Sequence, residues 1–408
     1  MKTLLILGAG AQGSALAGLL DREPQAERIL CADRDLRAAE TLARRLSKGE
    51  PRLIRAEDPR ELARLAAGAD IIVNCLPIQY NLPVMEAALE ARADYQDLCM
   101  TEIGGLSPVE SARKMLTEQN ERFRERELLA LTNTGSAPGL INLAVREAVE
   151  DMDSCESIEI SVYEGLWSRK FVPFWWSPQV AFQDMAEDPI RFENGVHRTT
   201  EPFGNPVWMT FPGIDHPVRM VDHSHEEPVT MGLYAGTCLK GVKNVIFRYG
   251  GPHVEMAETL YRMGLLSREE REFRGMKYVP MDLILSHTPP APKYREEIED
   301  ILRQGLVSRE GAFQAVIRGV KGGRPGVSTI SVQSPDLEEA FERSGISHEA
   351  YLTGQSAFIF TKMLVTGQVE QKGLVAPEAL ERGPREFFFR EAEKLGITFT
   401  RIREEPLA

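Results

Sequence analysis

A glycine-rich turn near the start of the chain has the residue types and the spacing that bind a phosphate group. The turn has the order G-x-G-x-x-G, and it lies between the apolar run Leu4–Leu7 and the apolar stretch Ser14–Leu20. This order predicts a buried strand, a tight turn, and a helix whose free N–H groups bind a dinucleotide pyrophosphate. Gly8 would allow the turn, Gly10 the approach of the pyrophosphate, and Gly13 the close packing of helix on strand. The residues expected to contact the dinucleotide are Gly8, Gly10, Ala11, Gln12 and Gly13.

An acidic residue stands at the end of the second predicted strand, Arg28–Ala32. Asp33 occupies the position at which a carboxylate meets the ribose hydroxyls of the adenosine. Because this carboxylate would repel a 2′-phosphate, the sequence favours NAD over NADP as the cofactor. Arg34 is the counter-argument, since its guanidinium could bind that phosphate or stack on the adenine. The alternative is a glycine-rich turn of another α/β protein, with Asp33 as a helix cap.

Polar residues also end two later predicted strands, at the sheet edge where ligands of parallel α/β sheets bind. Asn74 could hydrogen-bond the nicotinamide ribose, with Leu76 and Pro77 packing on the ring. The alternative for this segment is a strand end with a turn-forming proline. Asp97, at the end of the fifth strand, is either a ligand contact or a helix cap.

A proline and a glycine follow the sixth predicted strand. Pro138 and Gly139 would bend the chain into an interdomain cleft and expose helical N–H groups to a carboxylate or to the nicotinamide. A domain hinge with a helix start is the structural alternative.

The pattern of elements changes along the chain and predicts the fold. Residues 1–134 alternate strands and helices, which predicts an α/β Rossmann-type domain with a parallel sheet. Residues 135–350 contain short, β-rich segments separated by turns, which predicts an inserted α+β domain with a largely antiparallel sheet. Helical periodicity returns near the end, so we expect residues 351–408 to rejoin the first domain.

Composition excludes several classes of partner. The chain has 408 residues, 43% of them hydrophobic, and a formal net charge of −13, which disfavours nucleic acid and anionic membrane surfaces. No apolar run approaches the roughly 20 residues that span a bilayer, and the first strand leaves no room for a signal peptide. The five cysteines are scattered, as free thiols in a reducing compartment would be. We therefore expect a cytoplasmic protein.

The segment His223-Ser-His225-Glu226-Glu227 contains residue types that bind metals. Two imidazoles could project from one face of a strand, but a third, distant ligand is not identifiable. We therefore interpret the segment as a solvated loop and expect no metal.

In this order, several motifs resemble the saccharopine dehydrogenase family. They include GAGAQG at 8–13, ADIIVNCLPIQYNLPVMEAAL at 69–89, APGLIN at 137–142, FWWSP at 174–178, GVKNVIFRYGGPH at 241–253 and GQSAFIFTKMLVTGQVEQKGLVAPE at 354–378. The resemblance spans most of the chain and is strongest to the lysine 6-dehydrogenase and carboxynorspermidine dehydrogenase branches. Two departures are Glu164, where relatives often have a small residue, and Gly250, which replaces a proline.

The resemblance implies hydride transfer between a nicotinamide cofactor and the carbon of an amine, with a small amino-acid-like or opine-like substrate. It also implies a homodimer. One alternative keeps the enzyme class and changes the substrate to another imine or carbonyl acid. The other alternative is an NAD-binding redox sensor or scaffold without turnover.

Such chemistry needs a clamp for a carboxylate and a base for the nitrogen proton. Arg248 is the proposed clamp, because its fork matches a carboxylate, and an internal salt bridge is the alternative. The candidate bases are His253, Glu164 with a pKa raised by burial, and Lys240 with a lowered pKa. His253 could equally begin a helix, and Lys240 is more typical of a solvated turn.

Overall fold

The chain folds into two compact units in a computed structural model that describes residues 1–100 and 102–404. The first unit comprises Met1–Glu150, Val229–Leu239 and Ala350–Thr398. The second unit comprises Asp151–Pro228, Lys240–Glu349 and the segment that begins at Phe399. Among the described residues, no helix has both the length and the apolar character needed to cross a membrane.

Strands and helices alternate over the first 150 residues. They are β1 (Lys2–Leu7), α1 (Ala11–Leu20), β2 (Ala26–Asp33), α2 (Leu36–Ala43), β3 (Gly49–Leu53), α3 (Pro59–Ala66), β4 (Ile71–Asn74), α4 (Asn81–Ala91), β5 (Asp94–Asp97), α5 (Pro108–Lys114), α6 (Asn120–Glu125), β6 (Leu129–Leu131) and α7 (Leu140–Glu150). A π-helical turn, Met115–Gln119, joins α5 to α6. Asp35 and Asp58 cap α2 and α3, which fixes where those helices begin.

The middle of the chain is richer in strands. Its elements are β7 (Ser154–Ser168), α8 (Pro178–Ala186), β8 (Ile190–Glu193), β9 (Val196–Thr199), β10 (Val207–Met209), β11 (Val218–Asp222), α9 (Glu226–Leu233), β12 (Asn244–Gly250), α10 (Pro252–Arg262), β13 (Arg271–Phe273), β14 (Met276–Tyr278), α11 (Pro280–His287), α12 (Arg295–Gln304), β15 (Leu306–Lys321), β16 (Arg324–Gln333) and α13 (Leu337–Ser344). The last elements are α14 (His348–Thr366), β17 (Gly373–Val375), α15 (Arg382–Lys394) and β18 (Thr398–Glu404).

The first unit contains a seven-stranded sheet in the order β17-β6-β5-β4-β1-β2-β3. Each pair of neighbouring strands in this order runs parallel. The residues of β1 and β4 are apolar and buried on both faces, as expected where helices cover a parallel sheet. The strand order reverses between β1 and β4, and ligands of such sheets bind beyond the carboxyl ends of the strands at this position.

The second unit contains a nine-stranded sheet whose main path is β10-β11-β12-β7-β15-β16-β18. Strands β12 and β7 run parallel, and the neighbouring pairs β11–β12, β7–β15 and β15–β16 run antiparallel. The fold class is therefore α/β, with a parallel Rossmann-type sheet and a second, largely antiparallel sheet.

The first unit extends to Glu150, beyond the predicted boundary at 134, and the chain returns to it at Ala350, next to the predicted boundary at 350. Helix α7 belongs to the first unit, because its apolar side is buried there and Asn142 Nδ2 donates a hydrogen bond to Glu378. Residues 229–239 also join the first unit. Near the end, β17 pairs in parallel with β6, whereas β18 adds to the second sheet, where Arg401 bonds Ser328 and Asp151. Residues 405–408 lie outside the described residues.

Candidate functional site

The glycine turn after β1 leaves an open space beside the start of α1. A Cβ on Gly13 would lie 1.9 Å from the carbonyl oxygen of Gly8, so helix and strand pack at a distance that only glycine permits. Gly8 has a φ of +99°, a conformation that side chains disfavour. A Cβ on Gly10 would meet nothing within 4 Å, and no side chain caps α1 there. The first turn of α1 therefore fits the pyrophosphate of a nicotinamide dinucleotide.

Two neighbours of the turn carry polar groups. Asp33 accepts hydrogen bonds from Ala9 N, at 2.8 Å, and from Asp35 N, at 2.9 Å, so its carboxylate braces the glycine turn. Arg34 is exposed beside it. Gln12 Oε1 is buried in the structure without a hydrogen-bond partner. The structure thus brings the predicted cofactor residues of β1, α1 and β2 to one end of the first sheet.

The polar residues that end β4 and β5 are engaged within the protein. Asn74 is 1% exposed and donates a 2.7 Å hydrogen bond to Asn81 Oδ1. Asp97 is 1% exposed and accepts hydrogen bonds from Thr132 Oγ1 and Asn133 N. These contacts join adjacent loops, so the two side chains hold the sheet edge together. Leu76 is half-buried and Pro77 is exposed at the same edge.

The loop of Pro138 and Gly139 does not present the free N–H groups that the sequence predicted there. Both residues are buried, and Gly139 N donates to Asn142 Oδ1 at 2.9 Å. Leu140 N and Ile141 N donate to carbonyl groups of the same loop. These donors are satisfied internally because the Asn142 side chain closes the start of α7.

A second cluster of polar residues lies in the second unit, at the carboxyl ends of the parallel strands β7 and β12. Glu164 on β7 has a side chain that is 16% exposed, and Tyr249 on β12 interacts with it as a hydrogen-bond donor. His253 lies in the first turn of α10, with its Nε2 atom 3.8 Å from Glu164 Oε2. The charge of Glu349, in the first turn of α14, acts on Glu164. We call Glu164, Tyr249, His253 and Glu349 the carboxylate cluster.

Gly251 makes this approach of α10 to β7 possible. Its φ is +140°, and a Cβ there would lie 2.2 Å from the carbonyl oxygen of Glu164 and 2.8 Å from the His253 ring. Only glycine therefore allows His253 and Glu164 to face each other. His253 lies in the first turn of a helix, as the structural alternative predicted, and this position also brings it to Glu164.

Burial dominates the electrostatics of the carboxylate cluster. It raises the pKa of Glu164 well above its usual range, and the charge of Glu349 raises it further, while the hydrogen bond from Tyr249 opposes both effects. Burial likewise raises the pKa of Glu349 to about 7 and lowers the pKa of His253 to about 3. His253 is therefore neutral at neutral pH. Its Nε2 atom is buried without a hydrogen-bond partner, so its lone pair or proton is available to a ligand.

The interpretation of residues 223–227 as a solvated loop is wrong. His223 is 9% exposed and Glu227 is fully buried, because the segment leads from β11 into α9 against the second sheet. His225 bonds Glu227 through Nδ1 and stacks on Phe247, with ring centroids 4.0 Å apart. Burial disfavours its charge, but the adjacent carboxylates, first Glu227, outweigh burial and raise the pKa of His225 to about 9. The ligand-type atoms of His225, Glu226 and Glu227 lie within 4.8 Å of one another.

Arg248 forms internal salt bridges, which is the alternative role that the sequence analysis gave for it. It is 7% exposed, and its Nε donates to Glu159 Oε1 at 2.6 Å while Nη1 lies 3.3 Å from Asp222 Oδ1. Successive residues of a strand point to opposite faces, so Arg248 and its neighbour Tyr249 cannot share a face. The structure therefore places Arg248 away from the carboxylate cluster.

Lys240 lies at the opposite end of the strands from the carboxylate cluster. It occupies a turn with a φ of +48°, its Nζ donates to Met152 O at 2.5 Å, and its carbonyl accepts from Cys155 N near the start of β7. The structure thus brings Glu164 and His253 together and leaves Lys240 and Arg248 apart from them.

The two adjacent tryptophans of the FWWSP motif have different surroundings. Trp175 is 6% exposed in an apolar core that includes Ile298 and Phe341. Trp176 instead contacts the ring of His253, with centroids 5.7 Å apart, and that of Tyr249 at 6.1 Å. Sequence reasoning did not place Tyr249 or Glu349 in this cluster, and it interpreted His225 and Glu227 as part of a solvated loop. Strand alternation beside Arg248 could have indicated Tyr249, but no local signal marks Glu349.

Comparisons with known proteins agree with this architecture. The saccharopine dehydrogenase NADP binding domain matches residues 4–133, and the saccharopine dehydrogenase C-terminal domain matches residues 135–397. The chain is 23% identical to carboxyaminopropylagmatine dehydrogenase of Synechocystis sp., over 100% of this chain and 99% of that protein. It is also 23% identical to carboxynorspermidine synthase of Vibrio alginolyticus, over 88% and 84% of the two chains.

A solved structure shows the same fold. Saccharopine dehydrogenase (L-Glu forming) from Saccharomyces cerevisiae superimposes with a TM-score of 0.69 at 15% identity, over 99% of this chain and 100% of that one. The chain belongs to the saccharopine dehydrogenase family, as its motifs predicted. It is a nicotinamide-dependent oxidoreductase that acts on the carbon–nitrogen bond of amines.

Proposed function

We propose that the protein interconverts an imine and a secondary amine, in which a cationic amine such as a diamine or agmatine is joined to a small carbonyl acid. The carboxylate cluster of the second unit is the observation that carries this proposal. Burial is the largest perturbation of Glu164 and Tyr249, and the neighbouring charges that act on them are carboxylates, so this environment favours a cation. The names of two relatives, carboxyaminopropylagmatine dehydrogenase and carboxynorspermidine synthase, indicate the same class of substrate.

The nitrogen of the substrate would lie between Glu164 and His253. Nicotinamide, when bound, supplies or accepts the hydride at the carbon next to this nitrogen. In the oxidative direction the nitrogen also loses a proton, and Glu164 would accept it, because burial raises the pKa of this carboxylate well above its usual range and makes it the stronger base of the two. The neutral ring of His253, whose Nε2 atom is buried without a hydrogen-bond partner, would hydrogen-bond the nitrogen. Trp176 and Tyr249 would exclude water from this bond.

A substrate panel with a charge-neutral variant tests the proposal. Oxidation of reduced nicotinamide should occur with one or more diamines or agmatine in the presence of a small carbonyl acid. Glu164→Gln should lower kcat/KM by about 100-fold or more, as loss of a positioned acid–base or electrostatic group does. Glu156→Gln, an exposed carboxylate on the same strand β7, is the matched control and should leave kcat/KM unchanged. Cofactor binding without turnover of any amine would contradict the proposal and favour a redox sensor.

The preference for NAD remains part of this proposal. The Asp33 carboxylate at the end of β2 supports it, because a 2′-phosphate would be repelled there. Exposed Arg34 is the group that could reverse the preference. Dissociation constants for NAD and NADP, measured with the wild type and with Asp33→Ala, show whether Asp33 or Arg34 sets the cofactor preference. Equal affinities in the wild type would mean that Arg34 offsets Asp33.

A cytoplasmic homodimer is a further proposal. All five cysteines are free in the structure, which is typical of a reducing compartment. Trp208 is 70% exposed on β10, at one edge of the second sheet, and an exposed aromatic side chain on a sheet edge supports pairing with another chain. Light scattering of the purified protein tests the oligomeric state.

A further inference from the structure

Three side chains of metal-binding type meet where β11 leads into α9 in the second unit. His225 Nδ1 forms a hydrogen bond with Glu227 Oε2 and lies 3.5 Å from Glu226 Oε2. One ligand-type atom of each residue lies within 4.8 Å of those of the other two. Neighbouring ligands of a tetrahedral zinc ion with bonds of about 2.1 Å lie about 3.4 Å apart. Small side-chain movements would therefore bring all three groups onto one ion.

A second observation, independent of this clustering, indicates that a ligand belongs here. The side chain of Glu227 is fully buried, and its Oε1 atom has no hydrogen-bond partner. Buried polar atoms are nearly always paired, so the unpartnered oxygen of a buried carboxylate indicates a missing partner. A metal–oxygen bond of about 2.0–2.2 Å is shorter than a hydrogen bond of about 2.9 Å. A metal ion therefore reaches an oxygen that is closed to larger ligands.

The fold holds these groups in place before any ligand arrives. The ring of His225 stacks on Phe247 of β12, with centroids 4.0 Å apart and an angle of 3° between the planes. Glu226 and Glu227 lie in the first turn of α9, where the helix dipole favours negative charge. The side chains of His225 and Glu226 are 19% and 29% exposed, which leaves a path from the solvent. Ligands that are already ordered lose little conformational entropy on binding.

We propose that His225, Glu226 and Glu227 form a binding site for Zn²⁺. Zinc accepts one imidazole nitrogen and two carboxylate oxygens, whereas Mg²⁺ and Ca²⁺ take oxygen ligands. The two carboxylates balance the charge of a divalent ion. The ion takes the place of the proton that joins His225 Nδ1 to Glu227 Oε2, and a water molecule completes the four ligands. The expectation of no metal assumed a solvated loop, and this segment is not one.

The site is separate from the amine chemistry of the proposed function. It fixes the segment between β11 and α9, whose rings pack on β12: His225 contacts Phe247, and His223 lies on Tyr249 with centroids 4.9 Å apart. An ion bound only in the folded state adds its binding free energy to the stability of the fold. Zinc should therefore raise the melting temperature of the wild type.

Calorimetric titration with zinc chloride tests the inference on the full-length protein after dialysis against a chelator. We expect the wild type to bind one Zn²⁺ per chain, and Mg²⁺ and Ca²⁺ to bind far more weakly. Glu226→Gln removes one ligand and leaves the buried pair of His225 and Glu227 intact, so this variant should fold. It should weaken zinc binding about 100-fold, because loss of even an outer-shell partner costs about 10- to 100-fold.

A double variant removes the rest of the site. His225→Gln/Glu227→Gln leaves no single buried charge behind and retains all five free cysteines. Zinc should neither bind to this variant at the wild-type affinity nor raise its melting temperature. Wild-type affinity in the double variant or in Glu226→Gln would assign the ion to thiols or other groups and overturn the proposal. Absence of zinc binding by the wild type would overturn it as well.

A matched control comes from the other group of this kind among the described residues. Asp215, His216 and Glu310 also place ligand-type atoms within 4.8 Å of one another, but Asp215 and His216 are exposed. His216→Gln should therefore bind zinc as the wild type does. Loss of binding in His216→Gln, with binding kept in Glu226→Gln, would place the ion at the exposed group and refute the proposed site. Either failure leaves the proposed function standing, because amine turnover is measured separately.

Discussion

The glycine turn of the first unit and the carboxylate cluster of the second unit are built in different ways. The turn and its carboxylate lie within Gly8–Asp33, and their contacts are mostly with backbone atoms. The cluster draws Glu164, Tyr249, His253 and Glu349 from three segments that are far apart in the sequence, namely β7, the consecutive elements β12 and α10, and α14. The turn binds through shape and peptide dipoles, whereas the cluster works through the charge states of buried side chains.

Because of this difference, the two sites should lose ligand binding through different kinds of substitution. A backbone site tolerates few added atoms, because each Cβ must fit between peptide groups that cannot move separately. A cluster of side chains tolerates changes of shape better, but depends on every charge that shares the buried volume. The three predictions below test this contrast, from the largest expected effect to the smallest.

The first prediction concerns Gly13, where we expect the largest difference between the effects of a substitution on the two sites. Gly13→Ala places a Cβ 1.9 Å from Gly8 O, so helix and strand must move apart. We expect the dissociation constant of the cofactor to rise about 10- to 100-fold, since overpacking costs about 1–3 kcal/mol. Fluorescence titration measures the cofactor affinity, and calorimetric titration of the same variant should show unchanged amine binding.

Gly18 is the matched control on the same helix. A Cβ there would meet nothing within 4 Å, so Gly18→Ala should leave cofactor affinity unchanged. It should stabilise the protein by about 0.5–1 kcal/mol, because alanine suits a helix interior better than glycine does. Equal cofactor affinity in the two alanine variants would show that Gly13 is not needed for the turn.

The second prediction separates the two faces of β12. Arg248→Lys keeps the positive charge but loses the fork that bonds Glu159 and Asp222, so we expect the free energy of unfolding to fall by about 1–2 kcal/mol. KM should stay unchanged, because the side chain lies on the face opposite Tyr249. Thermal unfolding and steady-state kinetics measure the two effects. A raised KM with unchanged stability would instead restore Arg248 as a substrate clamp.

The third prediction compares the two adjacent tryptophans and has the smallest expected effects. Trp176→Phe should raise KM several-fold with little change in stability, since about 1 kcal/mol is typical of one aromatic contact. Trp175→Phe should lower the free energy of unfolding by about 1 kcal/mol or more and leave KM unchanged, because its ring fills the core. Equal changes in KM and in the free energy of unfolding for the two variants would contradict the assignment of Trp176 to the site and of Trp175 to the core.

Local sequence determined the parts of this protein that depend on neighbouring residues. The glycine spacing of residues 8–13, the apolar run of β1 and the carboxylate of Asp33 predict the nucleotide turn, because a strand, a turn and a helix there are set by steric and backbone rules. The alternation of strands and helices likewise predicted the Rossmann-type sheet, and the motifs that resemble the saccharopine dehydrogenase family predicted the family. Glu164 and His253 were predicted individually as candidate bases, without a reason to place them together.

Tertiary structure decided which charges meet. Strand alternation turns Arg248 to Glu159 and Asp222 and turns Tyr249 to the cluster, and the positive φ of Gly251 brings His253 against Glu164. The first turn of α14 adds Glu349, and the segment before α9 adds His225 with its buried partner Glu227. No local pattern encodes these contacts, because a pKa depends on burial and on neighbouring charges, which exist only when distant segments have packed.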